Sequence, residues 1–300
     1  MKSKNKKFLY VVGAIFLVIM LLLSSLFLSP VQLLLVHRFS SWFTSKTGAE
    51  LYVGEIALSP LGSLRLNQLL LRDGRSDTLL FVDSLYADFS PTQLYRNGRL
   101  TLDSVSLSRL YVNLYKASPD SFYNYHFLSE AFPSDTTSPK TPSKFDLTIQ
   151  AATLWESRFS HQIRADGYEA ANYCVSAINA HLKVGSTNLQ HFDAQMYRLS
   201  AKDSSGLAID SLSFRFSSTA DSVLMVDAFY LALHQSFLSI PSAFYALKTG
   251  RYGGEIEVAD ILLPELSRYI THFTNYTSSL HFSAKLSGDV PAMMVEDFTC

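Results

Sequence analysis

The sequence predicts a mainly β protein: an N-terminal transmembrane helix, then an elongated, curved, partly open β-sheet trough, taco-like in section, with a few short helices. Apolar residues recur in steps of two, three and two at Leu51, Val53, Ile56 and Leu58. The spacing returns at Leu64, Leu66, Leu69, Leu71; at Leu100, Leu102, Val105, Leu107; at Leu207, Ile209, Leu212, Phe214; at Leu224, Val226, Phe229, Leu231; and at Ile256, Val258, Ile261, Leu263. On a helix four such positions point to roughly 0°, 200°, 140° and 340°, which makes no stripe. On an extended chain each two-residue step keeps one face, and the three-residue step needs a bulge or bend to restore it. The other two observations are a long uncharged N-terminal run and a shortage of long amphipathic helices to form a second layer over the apolar face.

The uncharged run extends from Phe8 to Ser29, 22 residues, enough at about 1.5 Å per residue to cross a hydrocarbon core of about 30 Å. Residues 1–30 are therefore expected to be a basic tip and an anchor. A cleaved signal peptide is the competing reading, but Leu26, Phe27, Leu28 and Pro30 occupy the zone where small residues mark cleavage. Lys2, Lys4, Lys6 and Lys7 precede the run and only Arg38 and Lys46 follow closely, which places the N-terminus in the cytoplasm and the bulk of the chain outside it. No lipobox cysteine accompanies the segment.

Residues 31–48 form an amphipathic helix, with Leu34, Leu35, Phe39, Trp42 and Phe43 at three- and four-residue steps and Gly48 as its stop. Residues 49–132 are a first β segment, with a turn at Asp73-Gly74, a short helix from Ser90-Pro91 to Asn97-Gly98, and an aromatic helix over about Ser121–Phe132. Residues 133–143, PSDTTSPKTPS, are a polar linker or loop. Residues 144–300 are a second β segment, expected to continue in a longer protein, with helical interruptions near Ser236–Leu247 and Pro264–Thr274.

Catalytic signatures are absent: there is no GxSxG elbow, P-loop, HExxH or CxxC pair, so no enzyme, cofactor or metal is expected. His181 and His191 can meet across a hairpin, but a polar strand face explains them better. RDGRSD begins like a calcium loop yet lacks the later ligands, so a turn is expected there. Cys174 and Cys300 make no disulfide framework, and Cys174 reads as a small buried hydrophobe. Asn275-Tyr276-Thr277 fits a glycosylation acceptor only in a eukaryotic secretory pathway. With the four N-terminal lysines set aside, 21 basic residues of the chain's 25 face 26 acidic ones, a balance of −5. Nucleic acid is disfavoured as a partner, because a phosphate-binding face needs basic excess.

The chain resembles the N-terminal part of the TamB family, of the AsmA-like superfamily, in its Bacteroidetes-type form. The resemblance rests on GAELYVGEIALSPLGSLRLNQLLLRD, on SDTLLFVDSLYADFS followed by LYRNGRLTLDSVSLSRLYVNLY, on YNYHFLSEAF, on YRLSAKDSSGLAIDSLSFRF, on EIEVADILLPELSRY and on LHFSAKLSGDV, in that order. It implies a bacterial inner-membrane-anchored periplasmic protein of outer-membrane biogenesis. Two roles are implied, a bridge for phospholipid and a scaffold partnering an Omp85-type outer-membrane protein. The family's terminal domain, which engages that partner, has no counterpart before Cys300.

From the residues themselves, an apolar groove lined by Leu66, Leu102, Leu107, Phe214, Phe229 and Val258, or their strand neighbours, suits acyl chains. Open strand edges suit an incoming polypeptide instead. A structural or adhesive β-domain with a packed core is the third reading, since filled and hollow sheets alternate alike.

Overall fold

A computed structural model describes residues 14, 15, 17, 18, 20, 21, 24–92, 96, 99–132, 146–169, 172–188, 191–204, 206–219, 222–266, 277–289 and 292–299. Ten of the 22 residues of the expected span Phe8–Ser29, the linker 133–143, Asn275 and Cys300 lie outside them. Among the described residues no helix is long and apolar enough to cross a membrane.

Helix α1 (Ser29–Thr47) carries a proline in its first turn and ends on Gly48, whose φ of 70° and N–H to the Thr44 carbonyl form a left-handed cap. The helix lies against the first strand. Gln32 is buried there, and its amide joins both backbone groups of Leu58: Nε2 donates to the carbonyl at 2.9 Å and Oε1 accepts from the N–H at 3.0 Å. A side-chain amide thus stands where a neighbouring strand would pair.

The strands are β1 (Glu50–Leu58), β2 (Ser63–Arg72), β3 (Thr78–Phe89), β4 (Arg99–Ser108) and β5 (Tyr111–Lys116), followed by helix α2 (His126–Ala131). Then come β6 (Asp146–Ile149), β7 (Ala151–Ile163), β8 (Tyr173–Asn188), β9 (His191–Asp203), β10 (Ala208–Ser218), β11 (Val223–Leu233), β12 (Phe237–Ala246) and β13 (Arg251–Leu262). A short helix α3 (Leu263–Leu266), β14 (Ser279–Asp289) and β15 (Ala292–Thr299) complete the series. All fifteen strands belong to one sheet, ordered β1-β2-β3-β4-β7-β8-β9-β10-β11-β12-β13-β14-β15, with β5 and β6 joining at its first half. Antiparallel pairing is broken once, where β6 and β7 run parallel to β4 and β5. The connection through α2 supplies the crossover that parallel strands require. Contacts between elements run chiefly between neighbours in the sheet, apart from α1 on β1, α1 on α2 and α3 on β13.

The three-residue steps have a common backbone solution in five strands or strand junctions. Gln68, Arg109, Glu156, Ala177 and Ala228 have φ between 48° and 55°, and each sits just before the residue that returns to the inner face, the buried Ser157 after Glu156 and an apolar residue after the other four. The left-handed residue rotates the chain so that the face is recovered, at a cost of about 1–3 kcal/mol for a residue with a Cβ. In β1 to β3 the steps lie opposite one another in unbroken register, with Gly54 across from Gln68; a Cβ at Gly54 would meet Gln68 Cβ at 3.1 Å. From β7 to β11 they are offset and produce β-bulges.

Three local expectations change. Residues 237–246 form strand β12 and not a helix: Leu238, Ile240, Ala243 and Tyr245 repeat the two-three-two spacing, and Pro241 falls where the ladders to β11 and β13 both skip, so its missing N–H breaks no pair. The aromatic helix shrinks to His126–Ala131. Asn124 holds the preceding turn on β5, its side chain bonding Asn113 O and the Tyr115 N–H, which competes with helix formation. Cys174 is half-buried and its Sγ accepts from Arg158 Nε at 3.1 Å. At Asp73-Gly74 the turn is present, with Asp73 Oδ1 accepting from the N–H groups of Arg75 and Asp77.

Candidate functional site

One row of side chains crosses the sheet without a polar residue. Register pairs Ile56 with Leu66, then Leu85, Leu107, Leu154, Ala180, Leu199, Leu212, Leu231, Leu238, Ala259 and Phe282. Adjacent strands lie about 4.8 Å apart, so this row alone runs about 50 Å. A second row lies beside it: Leu58, Leu64, Ala87, Val105, Ala152, Leu182, Met196 and Phe214, with Phe229 6.4 Å away ring to ring and paired in turn with Ile240.

Burial separates this face from an ordinary core. In the first row only Ala259 is fully buried, and the other members are half-buried. Most of the fully buried apolar side chains among the described residues are alanines, among them Ala49, Ala87, Ala194 and Ala284. An apolar surface larger than a few hundred Å² is unusual on a soluble monomer unless it has a ligand or partner.

Leu66 and Leu107 stand in the first row and Phe214 and Phe229 in the second, while Leu102 pairs with Phe89 and Ile149 one step further along. Val258 is placed differently. It pairs with Ser239, and a register shift between Ile256 and Ala259 turns Ala259 to the apolar face opposite Leu238 and Phe282. Valine is the larger hydrophobe of the Val258-Ala259 pair, so hydropathy alone selects it, whereas the bulge sets which one faces Phe282. Sequence reasoning also missed Leu85, Leu154, Leu199 and Leu238; each belongs to a two-three-two run that begins or ends on alanine or an aromatic residue.

Part of the opposite face is polar. Its register row runs Arg65, Tyr86, Ser106, Thr153, His181 and Arg198. A surface cavity of about 880 Å³ lies there, bordered by Trp155, Glu156 and Asn179. Thr153 Oγ1 and His181 Nδ1 are 3.0 Å apart, and the His181 ring packs on Tyr197. His181 pairs in register with Arg198 and His191 with Asn188, so the two histidines do not meet across the hairpin. Among the described residues no three His, Cys, Asp or Glu groups converge as a metal site would require.

The sheet has two unlike edges. At β1 the edge is covered by α1, and α1 is steadied by an aromatic cluster in which Phe132 lies 6.1 Å from Trp42 and 6.3 Å from Phe43, with Lys46 Nζ 4.5 Å above the Phe132 ring. At β15 the outer edge pairs with no other strand among the described residues, and Met294 and Phe298 are exposed.

The class these features define is a mainly β protein built as one extended mixed sheet with a continuous apolar row on one face. No family model and no curated protein matches the chain.

Proposed function

We propose that this chain is an apolar β-groove that carries phospholipid acyl chains along its sheet, in an inner-membrane-anchored periplasmic protein of outer-membrane biogenesis. The single observation that carries the reading is the unbroken row from Ile56 to Phe282, half-buried throughout save at Ala259, over which, beyond α1 at its Ile56 end, no second layer of strands or long helices is packed among the described residues. Acyl chains lack hydrogen-bonding groups, so a lining without polar side chains accepts them with no desolvation cost. What favours a groove over a structural domain with a packed core is this half-burial of leucines and phenylalanines, which in a core would be covered from above. The uncharged run Phe8–Ser29 and the lysines before it support a single span with a cytoplasmic N-terminus, and the resemblance to the TamB family agrees with that placement. No residue is assigned a catalytic role.

A second reading, a scaffold for assembling outer-membrane proteins with an Omp85-type partner, is favoured by the outer edge of β15, whose backbone groups suit pairing with an incoming strand.

The Phe214→Asp variant tests the proposal. A carboxylate midway along the rows obstructs acyl chains, while an accessible groove lets water hydrate it and spares the fold. Photo-activatable residues at Leu107 and Leu238, on either side of the block, should both capture phospholipid in the parent, and the one beyond the block should lose it in the variant. Capture of nascent outer-membrane proteins alone supports the scaffold, and capture of neither in an intact protein overturns both.

A further inference from the structure

We propose that α1 and the first two strands form the site through which one acyl chain of an anionic membrane phospholipid reaches the apolar face, an inference that rests on the groove reading above. Between them lies a cavity of about 430 Å³, bounded by Leu35, Val36 and Phe39 on the helix and by Val53, Ile56 and Leu66 on the strands. Its volume falls within the range of small-molecule sites, about 300–1,000 Å³.

The lining selects an aliphatic ligand. Gln32 is its one polar member, and both ends of the Gln32 amide are engaged by Leu58, so a bound group with donors or acceptors would find among the lining side chains only what remains of that one amide. Ile56 and Leu66 are also the first two residues of the long row, so the cavity opens onto the start of the apolar face. Its other side opens outward: Leu35 and Phe39, which border it, are 51% and 54% exposed. The mouth is therefore apolar on both sides.

The source of the chain follows from the helix. Residues 29–47 contain Arg38 and Lys46 and no acid, and Leu34 and Trp42 are exposed beside them. A helix that shows apolar side chains together with basic ones settles at the bilayer interface, and its basic residues favour anionic headgroups. Held at the Leu58 end by Gln32 and at the other by Gly48 and the buried Ala49, α1 spans the mouth as a strap beside which a chain can pass.

The full chain, reconstituted in vesicles of radiolabelled phosphatidylglycerol and phosphatidylethanolamine, provides the test. A photo-activatable residue at Val36 reports the cavity, one at Leu34 reports bilayer contact outside it, and one at Phe214 reports the groove. We expect lipid adducts at all three positions. V53W, which fills the cavity, should reduce the Val36 adduct by at least about tenfold and leave the Leu34 adduct unchanged. Replacing phosphatidylglycerol by phosphatidylcholine should lower the Val36 adduct several-fold; unchanged labelling would overturn the preference for anionic lipid. An equal Val36 adduct in V53W and parent, or adducts at Phe214 and Leu34 with none at Val36, would overturn the portal and leave the groove standing. Absence of adduct at both Val36 and Phe214 would overturn the two together.

Discussion

The Tyr115 hydroxyl donates a hydrogen bond of 2.6 Å to Asp73 Oδ2 across a sequence separation of 42 residues, fastening β5 to the turn between β2 and β3. Both side chains are buried. Asp73 Oδ1 is already committed to the turn, and Arg164 lies 3.6 Å above the Tyr115 ring while pairing with Asp77 at 2.6 Å. Tyr115→Phe leaves one carboxylate oxygen without its donor and should cost about 1–3 kcal/mol in a denaturant titration, with the slope unchanged.

The same network has a pH signature. Burial and the Asp73 hydrogen bond push the Tyr115 hydroxyl well above the ordinary tyrosine value of 10.0. Its contribution is complete below that value and is lost as pH rises towards the folded-state one, so alkaline destabilisation should be weaker in Tyr115→Phe. The hydrogen bond from Arg164 holds Asp77 below the ordinary 3.8. That contribution is complete above 3.8 and disappears as pH falls through the lowered value, so Asp77→Asn should flatten the acid limb of the stability profile. Both partners of this pair are two-fifths exposed, which keeps the effect small.

Gln32→Leu tests how the β1 edge is protected. The substitution removes both bonds to Leu58 and leaves a part-buried N–H and carbonyl without partners, a loss of about 1–3 kcal/mol. It also frees the end of an edge strand, so light scattering should show more self-association than in the parent.

Ala228 tests the origin of the three-residue step. With φ at 50°, Ala228→Val adds a branched Cβ to left-handed backbone and should cost about 1–3 kcal/mol. Ala228→Gly, which relieves strain but adds chain entropy, should stay within about 1 kcal/mol of the parent. A helical or regular strand conformation here would reverse the order.

Leucine spacing makes much of this architecture legible in the sequence. Leu51 to Leu71 and Leu224 to Leu231 fall on one face because each side chain in the pattern is strongly apolar, and α1 was legible from Leu34, Phe39 and Gly48. Where the inward residue is alanine the pattern fades, which is why β12 reads as a helix and Val258 displaces Ala259. The parallel pairing of β4 with β6 and β7 is a long-range choice made through the crossover, and no local spacing encodes it. Nor does hydropathy distinguish a half-buried leucine from a buried one; that follows only from the absence, beyond α1, of a packed second layer among the described residues.

The central claim, that the apolar face takes up phospholipid, is tested most directly by a residue-by-residue scan of β10 in membranes carrying radiolabelled phospholipid. A photo-activatable residue is placed in turn at Leu212, Ser213, Phe214, Arg215 and Phe216. Register puts Leu212, Phe214 and Phe216 opposite Leu199, Met196 and Ala194 on the apolar face. Lipid adducts at those three positions, and several-fold fewer at Ser213 and Arg215, are the expected result. Adducts that do not alternate, or none at any position in a protein intact on the membrane, would contradict it.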